Sequence, residues 1–333
     1  MTERTVAIGE KGMRLERFVR LHFAEAAAEP VAALLKAGRL SVNGRKARLT
    51  DRLEPGQLVA IRAADRGPVA RPASAGQGGA DAARAGIAAL LIHEDAALMV
   101  LNKPAGLAVH PGTRVTDDLD TMLSRLVDPA TGERPLLAHR LDKETSGVIV
   151  AAKTRAVAAR LGKALAARDV DKTYLAVVHG LPAPPTGSID IALRKEQTAS
   201  GDRMVAVDAD SDGALAASSG YAVVGASTTA GCARVLLRPR TGRQHQLRAH
   251  MALIGHPIVG DRIYARRADG SLLPTPDGAE GGRLRLHALR IAFRHPITGE
   301  PVCFEAPEPP GFGLDLRTSP ARAENSGGEA IEP

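Results

Sequence analysis

The segment HRLDKETSG, residues 139–147, places charged and hydroxyl side chains between two apolar runs. PLLA precedes it and VIVAA follows it, and both runs have the composition of buried strands. The simplest interpretation of such a segment is a surface turn with a weak ion pair between Arg140 and Asp142. Its position instead predicts a carboxylate whose backbone is held by a sheet. A fixed carboxylate beside an arginine suits a nucleophile that must stay ionised.

A second basic cluster lies in RPRTGRQHQLRAH, residues 238–250, across a predicted strand-to-helix junction. His245 and Arg248 are three positions apart, so they lie on the same side of the predicted helix. A solvated basic helix is the alternative interpretation. A metal site is not favoured, because a spacing of five places His245 and His250 on different helix faces.

The composition of the 333 residues points to an anionic partner. Formal net charge is +7, which favours binding to nucleic acid because each lysine or arginine near a phosphate releases counterions. A basic soluble protein without such a partner is the alternative that charge alone leaves open. Aromatic residues are only 2% of the chain and tryptophan is absent, so base stacking would have few rings available.

The two cysteines and the N-terminus bear on the compartment. Cys232 and Cys303 are far apart and outside any CxxC pattern, which excludes a disulfide framework and a cysteine zinc site. The opening MTERTVAIGEKG lacks the apolar core of a signal peptide. No run approaches the length of about 18 apolar residues that a membrane span needs. We therefore expect a reduced, cytoplasmic protein with no membrane association.

Residues 12–62 read as a small α/β module. GMRLERFVRLHF and PVAALLKAG predict two helices, and Asn43-Gly44 predicts a hairpin between short strands. Three basic residues at positions three apart, Arg14, Arg17 and Arg20, lie on one face of the first helix. We expect this face to contact phosphates rather than to read bases.

The rest of the chain divides by composition. Residues 63–86 are rich in alanine, glycine and proline and predict a flexible linker. Residues 87–313 mix helices and strands without regular βαβ spacing, which predicts an α+β domain with a mixed or antiparallel sheet. Within it, residues 195–220 predict loops around a weak hairpin. Residues 314–333 predict a disordered tail.

Four ordered motifs resemble the RluA-type pseudouridine synthases. They are LNKPAGLAVHPGT, HRLDKETSGVIVAAKT, KTYLAVVHG and TGRQHQLRAHMALIGHPIVGD, and the similarity extends over about residues 90–305. Residues 12–62 resemble the RNA-binding module named after ribosomal small-subunit protein four. The resemblance implies a pseudouridine synthase catalytic domain that isomerises uridine to pseudouridine in RNA. It implies base flipping and neither a cofactor nor a metal.

The resemblance also implies roles for particular residues. Asp142 matches the catalytic aspartate, whether it attacks the ribose, attacks the base or removes a ribose proton. Arg248 matches its ion-pair partner, and Tyr174 matches a tyrosine that lies against the target base. Arg140 matches a residue that fills the gap left by the flipped base. Further substrate-binding residues are expected at His139, Lys103, Arg243, His245 and Leu247. For Lys103 and His139, a purely structural role is the open alternative.

The motifs favour large-subunit ribosomal RNA over transfer RNA as the substrate, and a monomer is the expected state. A non-catalytic RNA-binding or ribosome-assembly factor is the main alternative, which predicts RNA binding without product. A glycoside or nucleoside hydrolase would need a second catalytic carboxylate. Glu144 is the nearest candidate in sequence, but nothing in its spacing from Asp142 makes it face the same substrate atom.

Overall fold

A computed structural model describes most of the chain and divides it into two compact units, Met1–Ala73 and Ser74–Pro333. The described residues are 2–10, 12–23, 31–48, 51–62, 77–110, 118–198, 201–276 and 282–312. Within these ranges, no helix is both long and apolar enough to cross a membrane. The predicted tail, residues 314–333, lies outside the described residues.

In its described residues, the first unit has a small antiparallel sheet, two α-helices and a 3-10 helix at Ile8–Glu10. Its strands are β1 (Thr2–Thr5), β2 (Leu40–Val42), β3 (Arg45–Lys46) and β4 (Leu58–Ile61), and its helices are α1 (Leu15–His22) and α2 (Val31–Lys36). The strand order is β1-β4-β2-β3. Strand β1 pairs with β4 although it precedes residue 12, so the folded module begins earlier than its predicted start.

The structure contains the helix face and the hairpin turn that the sequence of this unit predicts. Leu15, Phe18 and Val19 on α1 are fully buried, as their helical spacing predicts. Asn43 and Gly44 both adopt left-handed backbone angles, with φ of 50° and 73°, which is the conformation of a two-residue hairpin turn. The Asn43 side chain also accepts a hydrogen bond from the backbone N–H of Leu58 at 2.7 Å.

In its described residues, the second unit has a ten-stranded sheet, a two-stranded hairpin and four helices. The sheet strands are β5 (Leu91–Glu94), β6 (Leu98–Lys103), β7 (Leu136–Leu137), β8 (Ser146–Ala152), β9 (Asp171–His179), β10 (Thr186–Asp190), β13 (Ser218–Ser227), β14 (Cys232–Pro239), β15 (Leu286–Arg294) and β16 (Pro301–Glu305). The hairpin is β11 (Leu193–Thr198) and β12 (Gly201–Ala206). The helices are α3 (Gln77–Ala88), α4 (Leu119–Ser124), α5 (Arg155–Ala167) and α6 (Gln246–Leu253).

The sheet is mixed and mainly antiparallel, which confirms the predicted α+β class. The strand order is β10-β13-β14-β9-β15-β8-β6-β5, with β16 paired to β15 and β7 paired to β8. Among the described strands, the one parallel pairing joins β15 to β8, the strand that follows the charged segment. All seven residues of β8 are buried, because β6 and β15 flank it and helix α5 contacts it.

The start of β8 is anchored by a buried polar chain. The Ser146 hydroxyl hydrogen-bonds Nδ1 of His287 at 2.9 Å, and Nε2 of His287 lies 3.2 Å from the carbonyl oxygen of Ala306. A carbonyl can only accept, so Nε2 carries the proton and Nδ1 accepts from the serine. The sheet therefore holds the C-terminal end of the 139–147 segment, as its position between strands predicts.

Helix α3 occupies residues 77–88, although residues 63–86 were expected to form a flexible linker. Alanine favours helix when an apolar face can be buried, and Ala83 and Ile87 are both buried here. Residues 63–76, the rest of that segment, lie outside the described residues. The predicted hairpin in 195–220 is present as β11 and β12, stabilised by burial of Leu193 and Met204.

Candidate active site

A cavity of about 1010 Å³ lies beside the 139–145 loop in the second unit. The other walls are the end of α5, the starts of β9 and β15, and the connection from β14 to α6. Eight lysine and arginine residues line it, against two aspartates, Asp142 and Asp171. This excess of positive charge suits a polyanionic ligand.

The fold brings most of the predicted site residues to this one cavity, from segments far apart in the sequence. They are Asp142, Tyr174, Arg248, His139, Arg140, Arg243, His245 and Leu247. Leu247 is buried in the cavity wall, whereas Arg140 and Arg243 are exposed. Lys103 is the predicted substrate-binding residue of this unit that does not line the cavity.

Asp142 lies in the loop between β7 and β8, with its side chain 19% exposed. Its carbonyl accepts a hydrogen bond from the backbone N–H of Thr145 at 3.1 Å, which closes a turn immediately before β8. On the carboxylate, Oδ2 lies 3.3 Å from Nη1 of Arg248 and 3.8 Å from Nε2 of His245. The carboxylate is thus fixed in place while part of it remains open to the cavity.

Arg248, on α6, makes its closest contacts with a different acid. Its Nε and Nη2 donate to the two carboxylate oxygens of Asp261 at 2.7 and 2.9 Å. Burial opposes the charge on Arg248, but the hydrogen bonds and charge of Asp261, with a smaller contribution from Asp142, raise its pKa above the usual value. The guanidinium is therefore a permanent cation between two carboxylates.

The first turn of α6 is fixed by Gln246, which is buried. Its Oε1 accepts from the backbone N–H of Arg243 at 3.0 Å and from the Thr241 hydroxyl at 2.7 Å. Its Nε2 donates to the carbonyl of Ser218 and to the hydroxyl of Ser219, both at 2.9 Å. These bonds tie the helix start to β13 and so set the direction in which Arg248 points.

Tyr174 lies on β9, opposite Leu237 of β14 and Ala288 of β15. Burial, and then the negative charge of Asp142, raise the pKa of its phenol above the usual value. The hydroxyl therefore stays protonated at neutral pH, and the ring presents a partly apolar surface to the cavity beside the carboxylate.

His139 is half-buried, and its Nε2 accepts a hydrogen bond from the backbone N–H of Val150 at 3.2 Å. Burial, and then the positive charge of Lys172, lower the pKa of His139 to about 4. The imidazole is consequently neutral at pH 7 and joins the 139–147 segment to β8.

Lys103 is a correction to the predicted set of substrate-binding residues. Its side chain is fully buried, and its ammonium donates to the carbonyl oxygens of Pro104, Leu107 and Lys143 at 2.9, 2.9 and 3.0 Å. Burial lowers its pKa to about 8, against the opposing effect of Glu144, so it remains charged at pH 7. The three N–H groups are used to join two loops, not to reach a substrate.

Three residues at the cavity or behind it escaped the sequence-based prediction: Gln246, Asp261 and Lys172. Lys172 lines the cavity two positions before Tyr174, on the same face of β9, and burial lowers its pKa. Both Lys172 and Asp261 stand inside the family motifs, so the signal was present. Their roles depend on tertiary contacts, which the sequence alone does not show.

The predicted phosphate-contacting residues lie in the first unit. Arg14 is exposed at the N-cap position of α1. Arg17 and Arg20 lie within α1, but their side chains fall outside what the structure describes. Across the described ranges, no group of three or more histidine, cysteine or acidic side chains is arranged to hold a metal ion.

Comparison with known proteins finds relatives over most of the chain. Residues 97–253 match the sequence model of the family described as RNA pseudouridylate synthase. Ribosomal large subunit pseudouridine synthase C of Escherichia coli (strain K12) is 32% identical over 313 residues, covering 92% of this chain and 93% of the relative. Dual-specificity RNA pseudouridine synthase RluA of the same strain is 37% identical over 221 residues, covering 66% of this chain and 92% of the relative.

Solved structures show the same fold. Human RNA pseudouridylate synthase domain containing 4 superposes with a TM-score of 0.58 at 28% identity, over 71% of this chain and 94% of that one. Human RNA pseudouridylate synthase domain containing 1 gives a TM-score of 0.51 at 27% identity, over 66% and 83%. The sequence motifs, the sheet and these matches all point to one family. The chain belongs to the RNA pseudouridylate synthase family of isomerases.

Proposed function

We propose that this enzyme isomerises specific uridines in large-subunit ribosomal RNA and that Asp142 is its catalytic residue. The observation that carries the proposal is the position of this carboxylate. It lies in a basic cavity, held on one oxygen by Arg248, with Tyr174 in the same cavity. A carboxylate among so many cations is poorly placed to bind a phosphate backbone, so its presence favours a chemical task over a binding one.

The reaction balances without a co-reactant. The bond from ribose carbon 1 to uracil nitrogen 1 breaks, the base turns, and carbon 5 bonds to ribose carbon 1. Carbon 5 loses a proton and nitrogen 1 gains one. Attack on the ribose, attack on the base and removal of a ribose proton would each use the carboxylate of Asp142, and Nη1 of Arg248 holds one of its oxygens at 3.3 Å.

The Asp142 side chain is only 19% exposed at the cavity, so the target uridine must leave its stack to reach it. Extruding a base costs a few kcal/mol, and less in a loop or bulge. Arg140 is exposed at the cavity, two residues before the carboxylate, where its planar guanidinium could stack in the vacated position. A uridine in or beside a hairpin loop is therefore the favoured target.

The choice of ribosomal RNA rests on the extent of the similarity. The match to the ribosomal large subunit enzyme covers 92% of this chain. The second unit is too short to account for that share, so the match includes much of the first unit. The match to the dual-specificity enzyme covers 66%. A separate basic module suits a large structured RNA, and such an enzyme would act in the cytoplasm as a monomer.

The test is to map pseudouridine in ribosomal and transfer RNA from cells with and without this gene. We expect at least one large-subunit site to be lost, then restored by the wild-type gene but not by Asp142→Asn. Loss confined to transfer RNA would overturn the substrate. Restoration by Asp142→Asn would overturn the catalytic role and favour a non-catalytic assembly factor.

A further inference from the structure

The cation beside the catalytic carboxylate is shared unequally between two acids. Arg248 contacts Asp261 through two atoms, at 2.7 and 2.9 Å, but contacts Asp142 through one atom at 3.3 Å. Two parallel N–H···O bonds fix both the position and the plane of a guanidinium, whereas a single longer contact fixes neither. Asp261 therefore determines where Arg248 points.

Asp261 is itself held rigidly. Its side chain is completely buried, and besides the two bonds from Arg248 its Oδ1 accepts from the backbone N–H groups of Ile263 and Tyr264 at 2.9 and 3.0 Å. The preceding Gly260 has φ of 77°, and a Cβ there would lie 2.0 Å from the carbonyl oxygen of Arg283. Only glycine fits at position 260, so the backbone of the turn that carries Asp261 has little conformational freedom.

Tyr264 supports the guanidinium from another side. Its ring centroid lies 5.4 Å from Cζ of Arg248, within the range of a cation–π contact. Its hydroxyl accepts a hydrogen bond from the backbone N–H of Met204 at 2.8 Å, which anchors the ring to β12. Arg248 is thus oriented by groups that do not line the cavity.

The closest approaches to the Asp142 carboxylate are all to one of its two oxygens. Arg248 and His245 both approach Oδ2. Among the residues that the structure describes, none makes a hydrogen bond with Oδ1. A free arginine would pair with a carboxylate through two atoms and cover both oxygens. Here two of its donors are already used by Asp261.

We propose that Asp261 is a positioning residue that restricts Arg248 to a single contact with Asp142, so that Oδ2 is held and Oδ1 is presented to the uridine. This inference rests on the proposed catalytic role of Asp142. It assigns Oδ1 as the reacting oxygen. It also explains why a fully buried acid stands behind the arginine, where it can never touch RNA.

The test is a double-mutant cycle with Asp261→Asn, Arg248→Ala and the combined variant, assayed in single-turnover reactions at saturating RNA. Asp261→Asn should lower the rate about 10- to 100-fold, the loss typical when a residue that orients a site residue from behind is removed. Its affinity for RNA should stay within about threefold of wild type. Asp269→Asn, at an exposed aspartate in a nearby turn, is the matched control and should keep the wild-type rate.

In the combined variant, Asp261→Asn should change the rate of Arg248→Ala by less than about threefold, because Asp261 acts through the arginine. The combined variant should also melt at a higher temperature than Arg248→Ala alone, since that single change leaves a buried unpaired carboxylate. If Asp261→Asn does not fold, the rates and melting temperatures of Arg248→Ala and the combined variant still test whether Asp261 acts through Arg248.

A wild-type rate for folded Asp261→Asn, or rate reductions that simply multiply in the combined variant, would overturn the inference. Its failure is separable from failure of the proposed function. An active Asp142→Asn would remove both, whereas an inactive Asp142→Asn with a fully active Asp261→Asn would remove only the positioning role.

Discussion

Gly147 lies against Ala288 of the neighbouring parallel strand with no room for a side chain between them. A Cβ at position 147 would lie 2.2 Å from the Ala288 carbonyl oxygen, and the backbone there has φ of 113°. This close approach lets β8 join β15 five residues after Asp142. The glycine that ends the segment HRLDKETSG is therefore part of what places the carboxylate.

Gly147→Ala should destabilise the protein by about 3–5 kcal/mol, because the clash is with backbone and the conformation is strained for any L side chain. Urea unfolding measures the loss. Gly162→Ala is the matched control, since a Cβ at 162 meets nothing within 4 Å on helix α5. That change should instead raise stability by about 0.5–1 kcal/mol. Equal effects from both changes would contradict the packing seen here.

Lys103→Met should cost about 2–4 kcal/mol of stability, because it leaves three carbonyl oxygens without their donor. Chemical denaturation monitors the effect, and affinity for RNA should remain within a few-fold when the protein is kept folded at low temperature. Lys163→Met on the exposed side of α5 should change stability by less than about 0.5 kcal/mol. A stable Lys103→Met protein unable to bind RNA would restore the substrate-binding interpretation.

His139 should make stability depend on pH between about 6.5 and 4. An unfolded histidine takes up its proton below pH 6.5, whereas the folded one does so only near pH 4. As pH falls through this window the unfolded state binds the proton first, so the contribution present above pH 6.5 is lost by pH 4. The loss should amount to about 2–3 kcal/mol.

His139→Gln keeps an acceptor for the Val150 N–H but cannot titrate. Its unfolding free energy should therefore fall less steeply than that of wild type over the same pH range. Parallel curves for the two proteins would show that the histidine titrates alike in both states.

The first unit should contribute salt-dependent affinity. Replacing Arg14, Arg17 and Arg20 together with glutamine should lower the slope of log affinity against log salt by about 2–3, at about 0.7–0.9 for each phosphate that is no longer neutralised. Filter binding of a large-subunit RNA fragment over a salt series gives this slope. The rate at saturating RNA should not change. An unaltered slope would mean that this helix face does not contact phosphates.

Much of this molecule is predictable from sequence because its signals are local. The Asn43-Gly44 turn, the helical spacing on α1 and the apolar runs around residues 139–147 each depend on neighbouring residues. The association of Asp142 with Arg248 was predictable only through the motifs that contain them, since 106 positions separate the two. No local pattern reports such a contact.

The remainder depends on contacts made across the fold. Lys103 stands in a motif beside a predicted strand, where a buried ammonium and a substrate-facing one look the same in sequence. Asp261 follows a glycine in another motif, and its task appears only when α6 brings Arg248 against it. Helix α3 forms in an alanine-rich segment because Ile87 packs into the hydrophobic core of the second unit.

The most direct test of the catalytic claim is single-turnover pseudouridine formation by Asp142→Asn on a large-subunit RNA, with RNA affinity measured in parallel. Glu144→Gln is the control, because this exposed acid two positions away does not line the cavity. We predict no detectable product from Asp142→Asn, with affinity within a few-fold of wild type, and normal turnover by Glu144→Gln. Substantial product from Asp142→Asn would contradict the account.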